Sequence, residues 1–293
     1  MIRGRVISNQ ANLYQVEESG ECYTCLARGK IKQDMQVVVG DMVTLEQIDK
    51  EKKTAVIAEI QERKTFLKRP KMANLTQIIF VVSMKMPKPD ILLLDKQLAF
   101  AEWLGMNSII CLNKADLVSE EQVNNIKEIY EKIGYTVITT VANKKDGLEK
   151  IRNQLKEQIT ALSGNSGVGK STLINALLGK DTTIEGSISA KNQKGKNTTT
   201  HIQLYKLEEN TYLADTPGFA TFSVEEIESR ELWKYFKEFP QYVSNCAYIG
   251  CGHMKEEDCG IKKAVEEQML SKSRYQNYCK IYEEIKHKEE RKW

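Results

Sequence analysis

Gly164-Asn165-Ser166-Gly167-Val168-Gly169-Lys170-Ser171 is the stretch that decides how this chain folds. Its closely spaced glycines let backbone N–H groups approach an anion, and a helix expected from about Ser171 to Leu178 turns its positive end toward the same place. Lys170 offers a cation to β- and γ-phosphates, the Ser171 hydroxyl a ligand to magnesium, and Thr172 in the first helical turn completes the expected nucleotide-binding set. The apolar run Ile159 to Leu162 reads as the strand such a loop requires. Alone, the loop specifies a nucleoside triphosphate without choosing its base.

Upstream, Asn113-Lys114-Ala115-Asp116 makes that choice. It follows Ser108 to Leu112, an apolar run suited to a buried parallel strand, and so stands at a strand's carboxyl end, where α/β sheets bind ligands. The Asp116 carboxylate accepts from guanine N1–H and the exocyclic amine, a donor pair that adenine lacks. Leaving such a polar group unpaired discriminates by about 10⁴ or more.

Downstream, Asp215-Thr216-Pro217-Gly218 follows the expected strand Thr211 to Ala214. Asp215 would hold magnesium through water, and the Gly218 N–H would sense the γ-phosphate. Phe219 comes next, where many GTPases carry a glutamine that orients the attacking water. Hydrolysis by the chain alone is therefore expected to be slow. Thr198-Thr199-Thr200 lie among Lys191, Lys194, Lys196 and His201, and Thr199 is the residue expected to cover the γ-phosphate and ligate magnesium. An ordinary GTPase places the Asn-Lys-x-Asp element last; here it precedes the phosphate loop. The domain reads as circularly permuted, a rearrangement tolerated where termini fall in exposed loops.

With 293 residues, 41% of them hydrophobic, the chain has room for two or three domains with real cores. No run approaches the roughly 18 apolar residues of a membrane span, and Met1-Ile2-Arg3-Gly4-Arg5 leads into polar sequence, so a cytosolic location is expected. Net charge is only +3, and nucleic-acid binding has to rest on local patches. Arg5 to Ser8, Leu13 to Glu17, Tyr23 to Arg28, Gln36 to Val39 with Met42 to Glu46, and Thr54 to Ile60 are short β-rich runs between turn residues. Five strands in this length fit an OB-type barrel, and the count leaves an SH3-like barrel open. Tyr14, Tyr23 and Phe66 are the residues on which bases would stack, with Arg3, Arg5, Arg28 and Lys30 on phosphates; core filling and solvation are the stronger readings. Cys22 and Cys25 read as structural thiols, as do Cys111 and Cys279 as buried ones.

Near the carboxyl end, Cys246-x4-Cys251-x-His253-x5-Cys259 brings three thiols and an imidazole together. That is the closed tetrahedral set of structural zinc, with no open position for catalysis. A disulfide is the weaker alternative in a cytosolic chain. Ser223 to Phe239 and Gly260 to Lys288 show helical spacing around it, with Trp233, Tyr235, Phe236 and Phe239 in the core and Tyr275, Tyr278 and Tyr282 along one face.

Barrel, permuted nucleotide motifs and Cys/His module together resemble the ribosome small-subunit-dependent GTPase A family. The resemblance covers essentially the whole chain, including Phe66-Leu67-Lys68-Arg69-Pro70 and the stretch from Cys259 through Arg274-Tyr275. It implies a GTPase of late small-subunit maturation that is stimulated by the subunit, contacts its rRNA and helps release another assembly factor of the ribosome-binding factor A type. Two departures stand out. The family's Gly-Arg-His before the threonines is Gly195-Lys196-Asn197 here, and Asn197 can orient a water but cannot take its proton. The usual Ser-Ala contacting guanine is Val141-Ala142, where a backbone N–H from Ala142 suffices.

The expected architecture is an α/β circularly permuted P-loop GTPase domain (69–222) behind an OB-like barrel (1–68) and ahead of a helical zinc-binding domain (223–293), acting as a monomer with one zinc and with magnesium on GTP. A nucleotide-gated rRNA clamp, in which hydrolysis only resets binding, is the rival reading; an ATP-using phosphotransferase conflicts with Asn113 and Asp116. The guanine argument yields a direct test. Asp116→Asn should shift preference from GTP toward xanthosine triphosphate, measured by competition for the bound nucleotide, whereas equal native affinity for ATP and GTP would refute the base assignment.

Overall fold

In the computed structural model the described residues are 2–29, 31, 36–68, 70–179, 202–215 and 226–291. Asn197, Thr198 to Thr200, His201, Gly218 and Phe219 lie outside them. The chain packs as two units, Met1–Ile78 with Ala142–Ser163 and Lys170–Phe219, and Ile79–Val141 with Gly164–Gly169 and Ala220–Trp293.

The first unit begins with β1 (Ile2–Gln10), β2 (Leu13–Glu18), β3 (Glu21–Ala27), β4 (Met42–Asp49) and β5 (Thr54–Ile60). Alternation along these strands sends Val6, Tyr14, Val16, Tyr23, Cys25, Val43, Leu45 and Ile57 to one interior. β1 pairs antiparallel with β2 and β4, β2 with β3, and β4 with β5, while β3 and β5 run parallel. Every strand thus has two neighbours, and the ring closes as a five-stranded barrel in the strand order of an OB-fold. Tyr14 and Tyr23 fill its core, being 2% and 1% exposed. Phe66, on β6 (Phe66–Lys68, paired with β7, Lys71–Ala73), is 39% exposed and carries the Arg63 guanidinium 4.8 Å over its ring. Cys22 is exposed and Cys25 buried, as opposite faces of one strand require.

Gln36 to Val39 differs from the strand expected there. Only Val39 bridges, to Met72, because the Val38 N–H donates to the buried Asp41 carboxylate at 2.8 Å and Arg63 closes on the same carboxylate at 2.7 Å. A side chain has captured the amide a sheet partner would have used.

The unit continues with α3 (Leu148–Leu155), β11 (Ile159–Ser163), α4 (Lys170–Leu178), β12 (Gln203–Glu208) and β13 (Thr211–Asp215). β11 runs parallel to β13, β12 antiparallel to it, and β12 meets β1 at Ser8 and Gln203. Glu17 seals that seam. Its buried carboxylate accepts from Lys206 Nζ at 2.5 Å, the Tyr212 hydroxyl at 2.6 Å and the Gly20 N–H at 2.8 Å. Burial would raise its pKa, yet these donors hold it below the ordinary value.

The second unit contains most of β8 (Gln77–Ser83), then α1 (Ile91–Trp103), β9 (Asn107–Asn113), α2 (Glu120–Glu131) and β10 (Thr136–Thr140), with the strands in the order β10-β9-β8 and β9 parallel to β10. Its carboxyl segment is α5 (Gly260–Glu266) and α6 (Lys272–Glu290). The expected helix to Phe239 is instead a 3₁₀ stretch, Ser229–Tyr235, followed by one turn at Pro240–Val243. Proline without an N–H starts a helix better than it continues one. Phe236 and Phe239 are buried against Tyr278, while Trp233 and Tyr235 are half-buried at the rim. The expected run Gly260 to Lys288 breaks where Gln268 takes a left-handed φ of 60° and Leu270 turns into the core. Cys111 is buried, Cys279 only half-buried.

Arg274 is the largest fully enclosed side chain of this unit. It pairs with Glu238 at 2.8 Å and Asp95 at 2.5 Å; Asp95 also accepts from the Tyr130 hydroxyl and the Asn277 amide, both at 2.7 Å. A buried cation between two carboxylates stays charged, with its pKa pushed further up by them. Arg274→Met should cost about 3 to 5 kcal/mol of stability in urea denaturation, because two carboxylates lose their shared counter-ion; a loss below about 1 kcal/mol would show that the cluster is not held by charge.

Candidate nucleotide site and metal cluster

Asn113 closes β9 at its carboxyl end and is 2% exposed. Its side-chain amide donates to the Val168 carbonyl at 2.8 Å, and its oxygen accepts from the Thr140 hydroxyl at 3.0 Å. Lys114, left-handed at φ 60°, reaches the Gly167 carbonyl at 2.8 Å and also the Met86 carbonyl. Two residues of the Asn-Lys-Ala-Asp motif thus grip the glycine-rich loop directly. Ala115 and Asp116 sit in the 3₁₀ turn that follows, with Asp116 exposed. Ala142 opens the 3₁₀ turn after β10 and is buried.

The loop has no room for side chains at its ends. A Cβ on Gly164 would stand 2.3 Å from the Val81 carbonyl oxygen, and one on Gly169 2.2 Å from the Asn113 amide, each at a positive φ. Asn165 donates to the Asp90 carboxylate at 3.2 Å, Ser166 and Gly167 form the turn, and Val168 is buried. A cavity of about 20 Å³, lined among others by Val81, Pro87, Leu93, Gly164 and Val168, backs the loop, enough for about one water.

In the first unit, Lys170 begins α4 with Ser171 and Thr172 exposed beside it. Burial lowers the Lys170 pKa and raises that of Asp215, which ends β13. Each group therefore gains from an opposite charge brought by a ligand: phosphate for the lysine, a cation for the aspartate. Thr140 and Asp90 escaped the sequence reading, since a threonine ending a strand and an aspartate capping a helix carry no motif.

Cys246, Cys251, His253 and Cys259 converge, with their ligand atoms all within 4.8 Å of one another. His253 points Nδ1 at the sulfurs, 3.4 Å from Cys259 and 3.6 Å from Cys246, and is 0% exposed. Its Nε2 is enclosed without a hydrogen-bond partner, beside the Trp233 ring set edge-on at 84°. Burial and the neighbouring thiols push the Cys251 thiol up to about 12, and burial keeps His253 neutral. Crowded thiols and a neutral imidazole are the donor set a tetrahedral cation relieves. Glu256 ties the loop by accepting from the N–H groups of Gly252, Met254 and Lys255, and the Tyr278 and Tyr275 hydroxyls donate to the carbonyls of Gly252 and His253 at 2.9 Å. Tyr275 and Tyr278 on one helical face are thus tethers of the loop that carries the Cys/His cluster.

Among the described residues no helix is long and apolar enough to cross a membrane. A family model described as RsgA GTPase matches residues 60–225, and one described as RsgA N-terminal domain matches residues 3–57. A protein of Alkaliphilus metalliredigens named small ribosomal subunit biogenesis GTPase RsgA is 40% identical over 98% of both chains, and a Clostridium botulinum protein of the same name is 38% identical over the full length of both. Among solved structures, YjeQ from Thermotoga maritima is 35% identical with a TM-score of 0.82, covering 97% of this chain and 98% of its own. YloQ, described as a circularly permuted GTPase, is 31% identical at 0.80, covering 98% and 96%.

The cluster predicts about one zinc per purified chain. Cys251→Ser should abolish it and unfold the segment near 246 to 259, while guanine-nucleotide affinity stays within about threefold, a change under 1 kcal/mol. Metal analysis, hydrogen exchange and nucleotide titration check the three parts; a metal-free chain with an ordered carboxyl segment would contradict them.

Proposed function

Because the chain belongs to the RsgA GTPase family, and is accordingly a GTP hydrolase with a circularly permuted fold, we propose that it serves biogenesis of the small ribosomal subunit by binding that subunit and its rRNA in the GTP state. In this reading it hydrolyses GTP slowly alone and faster on the subunit, and its turnover helps release another assembly factor. The observation that carries the nucleotide part is the Asn113 amide on the Val168 carbonyl, which joins the base-reading and phosphate-binding motifs across 55 residues. The ribosomal part rests on the names of full-length relatives.

Roles follow for residues of the motifs. Gly164 to Gly169 cradle the phosphates with backbone N–H groups, and Lys170 neutralises the β- and γ-phosphates. Ser171 and Thr199 ligate magnesium, Thr172 supports the same turn, and Asp215 holds the ion through water. Asn113, Lys114, Ala115 and Asp116 receive guanine, with Ala142 offering its N–H. Gly218 senses the γ-phosphate, and Asn197 orients the attacking water. Magnesium, when bound, supplies charge neutralisation to the transferring phosphoryl group. Zinc on Cys246, Cys251, His253 and Cys259 is structural. Residues 1–68, 69–222 and 223–293 act as ribosome-contacting barrel, GTPase and zinc-binding domain of a cytosolic monomer.

Single-turnover GTP hydrolysis with and without purified small subunits tests this. Completing a GTPase site in trans can accelerate turnover by about 10³ to 10⁵, or roughly 4 to 7 kcal/mol of barrier, and a non-hydrolysable analogue should retain the chain on the subunit better than GDP. Thr199→Ala should blunt that difference more than it weakens nucleotide binding. Tight binding without acceleration would make the chain a clamp; equal subunit affinity in the analogue, GDP and empty states would remove the switch.

A further inference from the structure

Asp90 stands at the N-cap of α1 and serves two partners with its two oxygens. One accepts from the Leu93 N–H at 3.0 Å, satisfying the helix's first turn; the other accepts from the Asn165 side chain at 3.2 Å. A single carboxylate therefore joins a helix start to the phosphate loop. The contact lies beside the small cavity that backs the loop, and the charge-assisted hydrogen bond carries part of the loop's restraint.

Helix α1 is a firm anchor for such a bond. One turn on, Asp95 is 0% exposed and held by Arg274, Asn277 and Tyr130. Lys96 pairs with Glu284 of α6, and Glu102 with Lys237 at 3.1 Å. Arg274, Asn277 and Glu284 lie on the same α6 whose Tyr275 and Tyr278 tether the metal loop.

Taking the loop as the GTP site, we infer that Asp90 is a positioning residue of that site: it fixes the phosphate loop through Asn165 from a helix clamped by α6, so that the carboxyl-terminal segment sets how fast guanine nucleotide leaves. Asp90 does not touch the nucleotide in this assignment. It acts through Asn165 on the backbone that does.

The test is the dissociation rate of fluorescent N-methylanthraniloyl GDP and of a similarly labelled non-hydrolysable GTP analogue from the full chain. Asp90→Ser keeps the cap, since a serine hydroxyl takes the Leu93 N–H, but is too short to reach Asn165. It and Asn165→Ala should each speed dissociation about three- to tenfold, and the double variant should be no faster than the faster single one. Asn165→Asp sets two carboxylates against each other; adding Asp90→Asn rebuilds the hydrogen bond with donor and acceptor exchanged, and the rate should return to within about threefold of native. Lys96→Met with Glu284→Met loosens the clamp at its exposed edge and should speed dissociation in the native background but not in Asp90→Ser. Melting temperature and bound zinc should stay unmoved in Asp90→Ser and Asn165→Ala, which a merely structural role would not allow.

Native rates in Asp90→Ser and Asn165→Ala, multiplicative effects in their double variant, or failure of the exchanged pair to recover would overturn the positioning role. An unmoved rate in the Lys96 and Glu284 variant would overturn the clamp. A native chain that binds no guanine nucleotide would sink the GTP reading itself, a result distinct from all of these.

Discussion

A guanidinium with no access to water must be neutralised on the spot, and Arg274 meets that constraint with Asp95 from α1 and Glu238 from the segment before the metal loop. The Arg274 guanidinium also lies 4.5 Å over the Phe236 ring, so the cation is enclosed by aromatic surface as well as by charge. Neither carboxylate can leave without stranding the other ions, which makes the arrangement an all-or-none joint. Helix α1 is thereby fixed in the unit that also holds the phosphate loop, and the metal loop is braced by the two turns of α6 that carry Arg274. The joint ties α1, α6 and the segment that carries Glu238 into one unit.

The nucleotide motifs were legible because each residue type has a narrow chemical task, and the strands before them because their apolar runs are uninterrupted. Asn113, Gly164 and Gly169 stand at strand ends and tight turns as their types require. The barrel was legible as five strands, and its closure order was not, since pairing partners leave no mark in a count of strands. Gln36 to Val39 looked like a strand by composition, and a single carboxylate at Asp41 redirected its amide. Helical spacing before Pro240 was real as a pattern of burial, yet 3₁₀ turns satisfy the same pattern.

Long-range polar partners were the least legible. Glu17 reads as the acid that ends a short strand, and only the fold brings Lys206 and Tyr212 to it. Asp90 carries no motif, and the second use of its carboxylate is invisible without the glycine-rich loop beside it. Tyr275 and Tyr278 were placed on one face correctly, while their hydroxyls' tasks at the carbonyls of the metal loop follow from geometry alone. Periodicity reports which side of an element is buried; it does not report what a polar atom on that side must find.

The span of the central ion pair bears on the chain's birth. Asp95 and Arg274 are 179 residues apart, so while the protein is being synthesised from its amino end the carboxylate exists long before its counter-ion. The barrel, whose paired strands lie within the first 60 residues, can close on its own segment as soon as it emerges. Helix α1 has no such independence: until α6 is made, burying Asp95 would desolvate an unpaired charge. Translation thus imposes a sequence of events, an early barrel and a second unit that locks only once Arg274 has been made.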